Sequence, residues 1–120
     1  NEMIKMRPLM SEAQARELLQ SLPTLRPLTV DTEKKRRDTY RESLATQDPY
    51  VFAGLIKAVL VRRRECIHGH KRLPDMDNEY DILAKKSLFS ELSVLLHIPF
   101  AEIEEHLPGL YDIPEDLPAE

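Results

Sequence analysis

Tryptophan is absent from these 120 residues, cysteine occurs once, and glycine only three times. A single cysteine excludes an internal disulfide framework and fits a reducing compartment. Three glycines against nine prolines, with no Asn-Gly or Asp-Gly pair and few β-branched clusters, argue against a hairpin-rich sheet. No apolar run approaches the ~18–20 residues of a membrane span. Asn1-Glu2-Met3-Ile4-Lys5-Met6 lacks the apolar stretch of a signal peptide, so export is not expected. The first residue is not Met, and we expect the chain to be a piece of a longer protein. A chain of this length fits one domain with a real hydrophobic core.

Also missing are a glycine-rich phosphate loop, a serine elbow and a dinucleotide fingerprint. No enzyme is expected, and no cofactor or small-molecule substrate. Glu102, Glu104 and Glu105 read as the solvated side of a short amphipathic helix rather than an acid/base pair.

What the chain does have is a divided charge. The total is −4, but residues 1–30 carry +1, residues 31–72 carry +5 and residues 73–120 carry −10. Such asymmetry points to an anionic partner for the middle third, with the acidic third expected to face away from it.

Helix start and stop signals recur. Ser11 and Gln14 make a capping box for a helix that runs through Leu18 and Leu19 and stops before Pro23. Pro23 to Pro27 is a connection that cannot be helical throughout. Asp31 offers an N-cap for a second helix, Glu33 to about Thr46, with Tyr40 and Leu44 on one face. Asp48-Pro49 opens a third, ending near Ile67 before Gly69, with Phe52, Leu55, Ile56, Val59 and Leu60 as its buried stripe. A fourth runs from about Pro74-Asp75 to His97. Tyr80, Leu83, Ala84, Leu88, Leu92, Leu95 and Leu96 fall on its apolar side. Phe100 to Leu107 is a short last helix. The expectation is an all-α, compact bundle of about five helices. Residues 1–10 would be a linker, 11–107 the domain, and 108–120 an acidic, proline-rich, extended tail.

Two constellations could carry chemistry. Lys34, Lys35, Arg36 and Arg37, with Arg41 one turn beyond, place positive charge at a helix start, against the helix dipole. Arg62, Arg63 and Arg64 close the third helix, where helix-end placement alone accounts for them. Packed side by side, the two clusters would form one phosphate-binding surface. Cys66, His68 and His70 resemble a metal string, but a tetrahedral zinc site needs about four ligands and the usual paired spacing is missing, so no metal is expected.

Three stretches resemble the C-terminal helical domain of the CarD/CdnL family of bacterial RNA-polymerase-binding transcription regulators. The first is Met6-Arg7-Pro8-Leu9-Met10-Ser11 with the helix after it. The second runs from Arg37-Asp38-Thr39-Tyr40-Arg41-Glu42-Ser43-Leu44 to Asp48, then through Leu55-Ile56-Lys57 to Arg62-Arg63-Arg64-Glu65. The third is Ser90-Glu91-Leu92-Ser93-Val94-Leu95-Leu96-His97-Ile98-Pro99 and Ala101 to Glu105.

The resemblance implies a cytoplasmic, nucleoid-associated protein that stabilises the open complex of polymerase and promoter. Polymerase would be bound mainly by an N-terminal Tudor-like domain that lies outside this chain. Promoter DNA would be met, with low sequence specificity, by Lys34, Lys35, Arg36, Arg37 and Arg41, and more loosely by Arg62, Arg63 and Arg64. Family members of the mycobacterial type place a tryptophan wedge before the second helix. Here Leu28-Thr29-Val30 offers only smaller side chains, and His97 stands where the family usually has glycine. A different class of function also fits the composition: a helical protein-interaction module, with the −10 third repelling nucleic acid. A further possibility is that residues 112–120 compete with DNA for the basic surface.

Overall fold

The computed structural model describes residues 10–112. Among them every regular element is helical: α1 (Glu12–Ser21), α2 (Arg36–Ala45), α3 (Pro49–His68), α4 (Asp75–Leu96), α5 (Phe100–Glu105) and α6 (Leu107–Leu110). Short 3-10 turns occupy Leu22–Thr24 and Glu33–Lys35. The protein is an all-α bundle, and the predicted linker, apart from Met10, lies outside the described residues.

α3 and α4 form the centre. α3 buries Phe52, Ala53, Leu55, Ile56, Val59 and Leu60, the stripe that its 3.6-residue period sets out. α4 answers with Ala84, Leu88, Phe89, Leu92 and Leu96. Leu83, expected on the apolar side, is half exposed, while Asp77 and Asp81 are buried. The buried row runs 77, 81, 84, 88, 92, 96 and leaves Leu83 about a quarter-turn outside it. α1 adds Ala15 and Leu18, and both reciprocal bonds of the Ser11/Gln14 capping box are made, at 3.1 and 2.8 Å.

The proline-punctuated connection lies against α3. The amide of Leu28 donates to the carbonyl of Gly54 (3.0 Å), and Lys57 Nζ donates to the carbonyls of Leu22, Pro23 and Leu25. A Cβ on Gly54 would sit 3.2 Å from the Arg26 carbonyl oxygen, so the missing side chain is what allows this approach.

Two details differ from expectation, and the end of the fourth helix, near His97 as expected, adds a third. The cap falls on Thr32 rather than Asp31, and it caps a 3-10 turn whose Lys35 amide donates to the Thr32 hydroxyl, while α2 follows that turn with no side-chain cap of its own. The fourth helix ends at Leu96 with His97 in the left-handed region (φ 59°), a conformation that normally favours glycine. Residues 107–110, expected partly in the extended tail, form a turn of helix that delivers Tyr111 into the core. The rest of the predicted tail, residues 113–120, lies outside the described residues.

Candidate nucleic-acid interface

The basic run divides into two groups. Lys34 and Lys35 sit on the 3-10 turn that the Thr32 cap creates, while Arg36 and Arg37 begin α2. Lys34, Lys35 and Arg37 are exposed and make no ion pair with any described residue. Arg41 is also exposed, one turn beyond Arg37 on the same face, and pairs with Asp38 at 2.9 Å. An exposed pair of this kind contributes at most about 1 kcal/mol and leaves Arg41 available to a polyanion.

Arg36 turns the other way. Its Nε and Nη2 donate to the Glu33 carboxylate (3.1 and 2.9 Å), and its Nη1 donates to the Tyr40 hydroxyl at 3.2 Å. Tyr40 in turn donates a short hydrogen bond to Oδ1 of Asp77, a fully buried carboxylate in the first turn of α4. The second oxygen of Asp77 lies 3.4 Å from Nε of Arg62 on α3. Nη1 and Nη2 of Arg62 return to Glu33 at 3.2 and 2.8 Å. Glu33, Arg36, Tyr40, Asp77 and Arg62 therefore close a ring that ties the basic turn and α2 to both central helices.

The ring shifts its own titrations. Burial first, and the hydrogen bond to Asp77 second, push the Tyr40 phenol up to about 12. Hydrogen bonds from Arg36 and Arg62 hold the Glu33 carboxyl below the usual carboxylate range.

A second set lies one turn further along α4. Arg63 Nη2 donates to Asn78 at 2.7 Å and lies 3.7 Å from Asp81. Lys85 reaches Asp81 at 3.0 Å and Glu104 on α5 at 3.7 Å. Burial raises the Asp81 carboxyl, with Lys85 and Arg63 opposing. Arg64 is buried.

The eight predicted cations are thus not one surface. Lys34, Lys35, Arg37 and Arg41 share the exposed turn and the start of α2. Arg36 and Arg62 belong to the ring, Arg63 braces α3 against α4, and Arg64 is covered. The acidic third does not simply face away either, because Asp77 and Asp81 are buried where arginines meet them. These two carboxylates carried a faint signal, since they are four apart on the helix that packs against a basic helix end.

Cys66 and His68 lie on the last turn of α3, and His70 follows Gly69 with φ 58°. Among the described residues, no three His, Cys, Asp or Glu side chains are grouped to hold a metal ion. No described helix is long and apolar enough to cross a membrane. Compared with known protein families, curated proteins and solved structures, the chain finds no match.

Proposed function

We propose that this chain is the DNA-contacting helical domain of a CarD-like transcription regulator, which helps hold RNA polymerase and promoter in the open complex. The observation that carries the reading is the exposed, carboxylate-free trio Lys34, Lys35 and Arg37, presented on a turn that the ring fixes to the core. Contacts of this kind neutralise phosphates and carry no sequence information, so the domain grips many sequences alike. Arg62 supports the surface from behind through Glu33, while Arg63 and Arg64 lie away from it. Polymerase, bound mainly through a domain outside this chain, raises the effective concentration of a grip that is weak alone. The setting is the bacterial cytoplasm, at the nucleoid.

The test is anisotropy titration of a forked promoter duplex with the wild-type chain and with K34A/K35A/R37A. The wild type binds with steep salt dependence and the triple variant binds weakly on every sequence. Salt-insensitive or absent binding overturns the reading.

One observation favours the other class of function. Ile82, Leu83 and Val94 are all more than half exposed on α4. A protein partner retained through this face, with no DNA retained at low salt, would establish the domain as a protein-interaction module.

A further inference from the structure

We propose that Arg36 and Arg62 form a phosphate subsite that Glu33 occupies in the free protein and that a nucleic-acid phosphate takes when Glu33 is displaced. The inference rests on the DNA-contacting reading above and adds a self-blocked subsite to it.

The geometry is that of a clamp around one anion. Oε1 of Glu33 accepts from Arg36 Nη2 (2.9 Å) and Arg62 Nη1 (3.2 Å), while Oε2 accepts from Arg36 Nε (3.1 Å) and Arg62 Nη2 (2.8 Å). Two guanidinium forks meet one carboxylate, and a phosphodiester offers two non-bridging oxygens to the same forks. Glu33 itself is an exposed side chain (64%) on a 3-10 turn, whereas Arg36 and Arg62 are largely covered (14% and 23%).

Each arginine of the clamp has a second partner besides Glu33. Arg36 is also hydrogen-bonded to the Tyr40 hydroxyl, and Arg62 faces the buried Asp77 carboxylate as an ion pair at 3.4 Å, without a hydrogen bond. If the carboxylate were only a strut, its removal would leave the arginines without a second anchor, and each has one. The same two arginines also line an open groove of about 230 Å³ with Leu28, Val30, Val61 and one carboxylate, Glu65, and its two cations outnumber that single acid beside the subsite. Lys34, Lys35 and Arg37 lie within four residues of Glu33, so a strand drawn to them arrives at the clamp.

The experiment compares E33Q with D31N, a substitution of equal charge at an exposed residue two positions away. Both are titrated against one duplex at several salt concentrations, beside K34A/K35A/R37A. E33Q is expected to tighten binding about threefold or more at low salt, and to steepen the log–log salt slope by about 1–2, the release from one or two further phosphates. D31N should change affinity less than about twofold, as a charge outside the clamp acts only at long range.

Equal shifts for E33Q and D31N, with the triple variant weakened, overturn the clamp and leave the DNA reading standing. A second readout is independent of DNA: in E33Q, the Nε–H resonances of Arg36 and Arg62 should move on titration with inorganic phosphate. Movement without any duplex binding would keep the subsite and reject the DNA reading. Unmoved resonances would reject the subsite.

Discussion

The hydroxyl of Tyr111 donates to the carbonyl oxygen of Ala53 at 2.7 Å, joining the end of the described chain to the second turn of α3. Both partners are buried, and burial holds the phenol far above its ordinary pKa. The contact makes the turn after α5 part of the core. Tyr111→Phe should cost about 1 kcal/mol, the net worth of one buried hydrogen bond. Tyr111→Ala, which also empties an aromatic-sized space, should cost about 3–5 kcal/mol. Urea unfolding midpoints at unchanged m-value separate the two.

The ring of Glu33, Arg36, Tyr40, Asp77 and Arg62 has one exposed and one buried carboxylate, and the two should respond very differently. Asp77→Ala leaves Arg62 without its buried counter-charge and Tyr40 without its acceptor, and should cost about 3–5 kcal/mol. Glu33→Gln removes a charge that is itself solvent-exposed and keeps an oxygen acceptor for the two arginines, so it should stay within about 1 kcal/mol of wild type. Comparable losses at both positions, measured by denaturant unfolding, would contradict the division.

Alkali should act through Tyr111, whose phenol burial raises, and through Tyr40. A group whose folded pKa is raised contributes stability that is complete below its unfolded value and lost as pH rises through the folded one. Tyr40 moves from 10.0 up to about 12, so its contribution is intact below pH 10 and is lost between pH 10 and about 12. Tyrosinate absorbance followed with pH should show this ionisation late in native protein, and Tyr40→Phe should remove it.

At the end of α4, His97 adopts φ 59° while the amide of Ile98 reaches back to the Ser93 carbonyl at 3.2 Å. A left-handed conformation costs a side-chain-bearing residue about 1–2 kcal/mol. His97→Gly removes that cost, against a smaller entropic penalty in the unfolded chain, and should raise stability by about 0.5–1 kcal/mol. Gly54 is the opposite case. Its Cβ-free surface meets the Arg26 carbonyl, and Gly54→Val should lower stability by about 1–3 kcal/mol by forcing the connection off α3. Thermal unfolding of the two variants, which should move in opposite directions, checks both.

Much of the architecture was legible because its causes are local. Ser11 with Gln14, Asp48 before Pro49, and the stripe from Phe52 to Leu60 are written within a helical turn or two, and the structure realises each. Long-range pairing was not legible. Arg62 and Arg63 look like ordinary helix-end charges, Asp77 like an acid of a favourable first turn, and Asp81 like one more charge of an acidic segment. Only the packing of α3 on α4 turns them into partners and removes them from solvent. Tyr111 was hidden for a similar reason, since its proline- and acid-rich surroundings resemble a tail, while its partner lies 58 residues away. For the site, the basic run was visible but its inside and outside were not: Tyr40 and Asp77 draw Arg36 inward and leave Lys34, Lys35 and Arg37 outside.

That separation makes the most direct measurement a salt titration of DNA binding by wild type, K34A/K35A/R37A and R16A. Each phosphate contact contributes about 0.9 to the log–log slope, so losing three cations should flatten it by about 2–3 and weaken binding on all sequences alike. R16A, on α1 and paired with Glu12, should leave the slope unchanged. A triple variant that keeps the wild-type slope, or a wild type that binds no DNA at low salt, would contradict the account.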